Sequence, residues 1–90
     1  MLLVSAKVDD FDQFLKTFST KGLEKRKQHG SGGSHVFRDP EDANRVWVVF
    51  DWDDEGFQNL YSDPEFPAIT QEAGIQGSPQ KAEEAAEFEA

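Results

Sequence analysis

Arg45–Gly56, RVWVVFDWDDEG, is the stretch on which the fold turns. It reads as a strand that runs directly into the start of a helix. Val46, Val48, Phe50 and Trp52 fall on one face of the strand; Trp47 and Val49 fall on the other, beside Asp51. Side chains alternate across a strand, and an antiparallel strand with one wet face alternates apolar and polar residues. This strand is apolar on both faces through its middle. The chain's own helices can cover one face. The other needs a second cover, and 90 residues leave little to supply it. A second copy of the sheet is the economical cover, which makes Trp47 and Val49 the candidate dimer-interface residues.

Downstream, Asp53 reads as a helix N-cap, with Trp52 at N′ and Phe57 at N4, the spacing of a hydrophobic staple. Phe57, Leu60 and Tyr61 form the helix face. Ser62-Asp63-Pro64 interrupts it, because the residue before a proline is pushed out of the helical region. Phe66, Ile69 and Ala73 predict a short further helix from near Pro67 to Gly74. Ile75–Pro79 reads as a turn. The tail from Gln80 to Ala90 is rich in helix formers, yet the sheet needs a final strand. A strand is expected over at least its first part, with loose last residues.

Upstream, Ser34–Asp39 and Arg45–Asp51 form a hairpin through a polar turn. Leu2–Val8 is the first strand, with Leu2, Val4, Ala6 and Val8 on one face. Asp10 is the N-cap of the first helix and Gln13 stands at N3, a variant of the capping box. Phe11, Phe14, Leu15 and Phe18 then share one helical face. Ser19, Thr20 and Gly22 weaken the helix, and a glycine inside a helix costs about 1 kcal/mol relative to alanine, so a kink is expected near Gly22. Leu23–Gln28 can continue the helix, with Gly30 as the residue just beyond its end. Gly30–Gly33 is a flexible link: it follows a helix and precedes a strand, the reverse of a phosphate-binding loop.

The chain is expected to be one domain over residues 1–90. A chain of this length buries only roughly 60–65 % of the surface its unfolded form exposes, so its core is thin. It has no cysteine and only two histidines, His29 and His35. Disulfides and thiolate metal sites are excluded, no metal site is expected, and association remains as the stabilising device. Asp and Glu number 18 against 9 Lys and Arg; a polyanion would be repelled, which argues against nucleic acid. No apolar run approaches the ~20 residues that span a bilayer, so no membrane partner is expected. The N-terminal MLLVSAKVDDF lacks the basic start of a signal peptide. A cytoplasmic protein is the default expectation.

The order strand, helix, strand, strand, helix, strand is the ferredoxin-like βαββαβ arrangement of an α+β protein with a four-stranded antiparallel sheet. DDFDQFLKTF, DPEDANRVWVVFDWDDEGFQNLYSDPEF and AITQEAGIQGSP together resemble the dimeric α/β-barrel superfamily, and within it the antibiotic-biosynthesis-monooxygenase-like domains. The resemblance spans nearly the whole chain. It implies a homodimer whose two sheets face each other with the helices outside, which agrees with the cover argued for Trp47 and Val49. It also implies a choice of functions: a monooxygenase of aromatic or polyketide-like substrates that uses no cofactor, a cyclase-like enzyme, or a non-catalytic structural or ligand-binding module. Oxygenases of this kind use Trp, Asn, Tyr and Arg beside a cleft between sheet and helices. Trp52, Asn59 and Tyr61 stand in comparable places and are the ligand-pocket candidates. Haem-degrading members need a histidine on the second helix, and none lies between Phe57 and Gly74.

Each candidate has a plainer reading. Asp51, Asp53, Glu55 and Gly56 look like the opening of a calcium loop, but Ser62 occupies the closing glutamate position and a strand precedes it; acids gathered at a helix start explain them. His35 is the one candidate general base, although no nucleophile motif accompanies it. Trp52 can wall an aromatic pocket or simply staple the helix. Asn59 and Tyr61 are two apart and do not share a helix face. The basic run Lys21–Lys27 holds four of the cations; it reads as a solvated helix end, or as an attractor for an anionic ligand or a partner's acidic tail.

Overall fold

A computed structural model describes residues 1–90. The elements are β1 (Leu2–Val8), α1 (Phe11–Phe18), α2 (Lys21–Gln28), β2 (Ser34–Arg38), β3 (Arg45–Phe50), α3 (Asp54–Tyr61), α4 (Phe66–Glu72) and β4 (Ile75–Glu83). The strands form one antiparallel sheet in the order β2-β3-β1-β4. This is the expected ferredoxin-like α+β architecture.

The two faces of β3 behave as its alternation requires. Val46, Val48 and Phe50 are buried and pair across β1 with Ala6, Val4 and Leu2. Phe14 of α1, Phe57 of α3 and Ala73 after α4 close the core over them. The opposite face carries Leu3, Val49 and His35 in one cross-strand row and Ser5, Trp47 and Phe37 in the next. On that face Phe37 is 53 % exposed and Leu3 37 %.

Both predicted N-caps form. Asp10 accepts from the Gln13 backbone N–H at 2.8 Å, and Asp53 from that of Gly56 at 2.8 Å. The capping box at Asp10 is one-sided: Gln13 Nε2 donates instead to the Glu72 carbonyl at 2.7 Å, tying α1 to α4. The staple is present, with the Trp52 and Phe57 rings edge-on at 6.5 Å.

Three expectations are corrected. The first helix breaks at Ser19-Thr20 and not near Gly22. Both hydroxyls donate to the Lys16 carbonyl, at 3.2 and 2.7 Å, and so compete for an acceptor of the helix end. The last strand starts at Ile75, inside the predicted turn, and ends at Glu83, with no helix or strand over residues 84–90. Gly77 takes φ +64°, open to glycine, where the register against β1 shifts between Ser5 and Lys7. Gly77 and Pro79 thus mark a bulge in an edge strand, which tolerates both. Third, the basic helix end is not simply solvated, because Lys25 and Arg26 are 8 % and 7 % exposed.

Candidate functional site: a cavity between sheet and helices

A cavity of about 60 Å³ lies between the buried sheet face and the helices. Val4, Val48 and Phe50 form its floor and Phe14, Phe57 and Phe66 much of its wall. Its surface is almost wholly apolar; Thr17, Arg26, Tyr61 and Thr70 are the lining residues that carry polar side-chain groups, and no carboxylate and no imidazole lines it. Thr70 is satisfied locally, its hydroxyl donating to the Pro67 carbonyl at 2.9 Å.

Tyr61 reaches the cavity from the last turn of α3. Its ring packs 4.8 Å from Phe57 and 4.9 Å from Phe66. Tyr61 as a whole is 37 % exposed, yet desolvation around its ring pushes its phenol up to about 12, so the hydroxyl stays protonated at neutral pH.

Arg26 reaches the cavity from α2. Gly22, one turn earlier, leaves the space it fills: a Cβ there would lie 3.1 Å from the guanidinium. Arg26 Nη1 donates to the Phe18 carbonyl at 2.9 Å, and Cζ lies 3.7 Å above the Phe18 ring. No carboxylate lies within ion-pair distance of it. Desolvation alone lowers its pKa, to about 10, which leaves it charged at neutral pH.

Lys25, its neighbour, is treated differently. Its ammonium meets Asp63 at 3.1 Å and Glu65 at 3.0 Å, while His29 Nε2 meets the same Asp63 at 2.9 Å. The His29 contact, the Glu65 backbone N–H and Lys25 together hold the Asp63 carboxyl down at about 2. This cluster fastens α2 to the α3–α4 corner.

The structure divides the sequence candidates among three places. Tyr61 lies in the cavity. Trp52 and Asn59 line a shallow, open surface depression of about 540 Å³, shared with His29, Asp51, Asp53 and Glu55. Beneath the Trp52 indole sits Gly56, where a Cβ would come within 1.9 Å of Nε1. Trp47, Val49 and His35 share the outer sheet face, on the far side of the sheet from the cavity. There the Trp47 indole donates to Asp39 at 3.0 Å and Arg45 donates to the Ser5 hydroxyl at 2.6 Å. The acids that look like a calcium loop have other tasks: Asp53 caps α3, and Asp54 accepts from Lys81 and Gln58, both at 2.6 Å. No group of three His, Cys, Asp or Glu side chains is placed to hold a metal ion.

Arg26 and the His29–Asp63 contact were missed in the sequence. The second is a contact across 34 positions with no local signature. The first had a signal, since Gly22 and Arg26 are four apart and thus neighbours on one helix face.

One four-stranded sheet with helices packed on one face and a cavity between the two layers is a ferredoxin-like α+β fold. Among solved structures, SnoaB from Streptomyces nogalater, a cofactor-independent oxygenase, superposes with a TM-score of 0.72 at 14 % identity over 99 % of this chain and 95 % of its own. A Bordetella bronchiseptica protein described as an antibiotic biosynthesis monooxygenase gives 0.74 at 17 % identity, over 97 % and 95 %. A Caulobacter crescentus protein described in the same way gives 0.68 at 15 %, over 96 % and 88 %. No protein-family profile and no curated protein sequence matches the chain. At such identities the likeness establishes the fold, as the sequence resemblance implied.

Proposed function

We propose that this chain is a homodimeric small-molecule-binding protein that holds an aromatic or polyketide-like ligand in the cavity between sheet and helices and oxygenates it without a bound cofactor. The observation that carries this reading is the cavity itself: an apolar, largely aromatic-walled chamber between sheet and helices, where small-molecule sites commonly form. Structures of the same fold include an oxygenase that works without a cofactor. At about 60 Å³ the chamber is smaller than the ~150 Å³ cavity that admits benzene in an engineered core. A ring system therefore enters only by displacing part of the wall.

In this chemistry the substrate supplies its own electrons. An ionised hydroxyaromatic reacts with dioxygen at a ring CH₂; one oxygen atom stays as the new carbonyl, and the other leaves as water with the two hydrogens of that carbon. With no carboxylate or imidazole in the lining, the substrate must be acidic enough to ionise there without a protein base.

Homodimer formation is supported by the outer sheet face, where Trp47 and Val49 lie beside the exposed Phe37 and Leu3. A face-to-face partner would remove this apolar surface from water, the main driving force of association.

A non-catalytic ligand-binding module is the second reading, favoured by the same missing base. Oxygen uptake with a panel of hydroxylated naphthalenes and anthrones separates them. Substrate-dependent uptake matching product formed is expected; binding with no uptake would leave the module.

A further inference from the structure

We propose that α2 is a lid over this chamber. It opens as one unit, hinged at Ser19-Thr20 and at Gly30, and the cluster of Lys25, His29, Asp63 and Glu65 is the latch that holds it closed. The inference rests on the reading of the cavity as a ligand site and names the part of the wall that a ligand displaces.

Three features single out α2. The first is what it lacks. Every other helix is anchored by a buried apolar side chain: Phe14 from α1, Phe57 and Leu60 from α3, Phe66 from α4. The buried residues of α2 are Gly22, Lys25 and Arg26, and Leu23 is only half-buried. Segments with few buried apolar contacts open at less free energy than the whole fold. The 8 residues of α2 are also too few for a helix that stands alone in water.

The second is how its ends are built. No side chain caps its N-terminus at Thr20, because the Ser19 and Thr20 hydroxyls turn back to the Lys16 carbonyl. Beyond its C-terminus Gly30 takes φ +84°, with open space where a side chain would stand. The chain can therefore turn at both ends of α2 while α1 and β2 stay in place.

The third is what holds it down. Lys25 meets Asp63 at 3.1 Å and Glu65 at 3.0 Å, and His29 meets Asp63 at 2.9 Å. Lys21 meets Glu72 of α4 at 2.8 Å. Polar contacts of this kind are exchanged for water at small net cost, which suits a catch that opens and recloses. On its inner side α2 brings Gly22 and Arg26 to the chamber wall, between Thr17 and Phe18 of α1 and Phe66, Ile69 and Thr70 of α4. Lifting α2 removes both from the wall and opens the chamber along that seam.

A rigid clamp would use the same contacts, and the difference lies in what moves. In native-state hydrogen exchange of the wild type, the amides of Lys25, Arg26, Lys27 and Gln28 are expected to exchange together. Their rate should be at least tenfold above that of Phe14 in α1 and of Val4 and Val48 in the sheet. Protection equal to that of the sheet would overturn the lid. Stopped-flow binding of 2-naphthol then reads the gate. Asp63→Asn and Lys25→Met should each raise the association rate constant at least fivefold. Lys81→Met, which breaks the ion pair with Asp54 away from the latch, should leave it within twofold. Unchanged rates in both latch variants would overturn the inference and leave the cavity as a ligand site. So would an equal rise in Lys81→Met, the mark of general loosening. Failure of 2-naphthol to bind the wild type would overturn the cavity reading, and the lid with it. Should neither latch variant fold, the wild-type exchange pattern decides the matter.

Discussion

Arg26 and Phe18 are in contact twice over: the guanidinium carbon lies 3.7 Å above the ring, and Nη1 donates to the carbonyl of the same residue at 2.9 Å. These contacts compensate only part of the burial of an unpaired charge. Replacing a buried charged group with an apolar one of similar volume is often neutral or stabilising, by up to about 1–4 kcal/mol. In the ligand-free protein Arg26→Met should therefore be neutral, or more stable by about 1 kcal/mol, in urea unfolding. A loss beyond about 2 kcal/mol would show that the residue serves the fold.

Asp63 gives a pH dependence with a definite sign. Its folded-state value of about 2 lies below the ordinary 3.8, so the folded state favours its charged form. The resulting stability is fully present above about pH 4 and is lost as the pH falls through 2. Lys25, His29 and Glu65 face it, and Lys25, whose own pKa is raised by its hydrogen bonds to Glu65 and Asp63, carries positive charge throughout that window. The melting temperature should fall more steeply between pH 4 and 2 in the wild type than in Asp63→Asn. Parallel slopes would mean that the cluster adds nothing to stability.

Gly56 lies directly under the Trp52 indole. Alanine gains about 1 kcal/mol of helix propensity at such a position, but here its Cβ must displace the ring, and overpacking costs about 1–3 kcal/mol. Gly56→Ala should destabilise by about 1–2 kcal/mol and red-shift the tryptophan emission as the indole moves outward. A more stable variant with unchanged emission would mean that Trp52 is not seated against the helix.

Val49 sits in the centre of the outer sheet face, between His35 and Leu3. An aspartate there costs the isolated protomer little, since the side chain is already partly exposed. Across a two-fold interface it would bring like charges together, at several kcal/mol. Val49→Asp should sediment as a folded monomer where the wild type sediments as a dimer. An unchanged dimer would place the interface elsewhere.

The fold was legible because its signals are local. Alternation in Leu2–Val8 and Arg45–Phe50, the caps at Asp10 and Asp53, and the Trp52–Phe57 staple each depend on residues a few positions apart. The last strand was misplaced because Gly77 and Pro79 are turn residues by composition, and only the register against β1 makes them a bulge. The cavity was half legible. Tyr61 could be named from the helix face and from the resemblance, yet its separation from Trp52 and Asn59 depends on how α3 docks on the sheet. Arg26 looked like one cation in a solvated run, since a charged residue's burial is set by distant elements and not by its neighbours. The spacing of Gly22 and Arg26 was the only hint.

The central claim is that the chamber beneath the helices, and not the depression beside Trp52, is the binding site. Amide chemical-shift mapping during titration with a hydroxylated naphthalene tests it most directly. Shifts are expected at Arg26, Tyr61, Phe66, Ile69 and Thr70, which line the chamber. Shifts confined to His29, Trp52 and Asn59 around the depression, or none at saturating ligand, would contradict it.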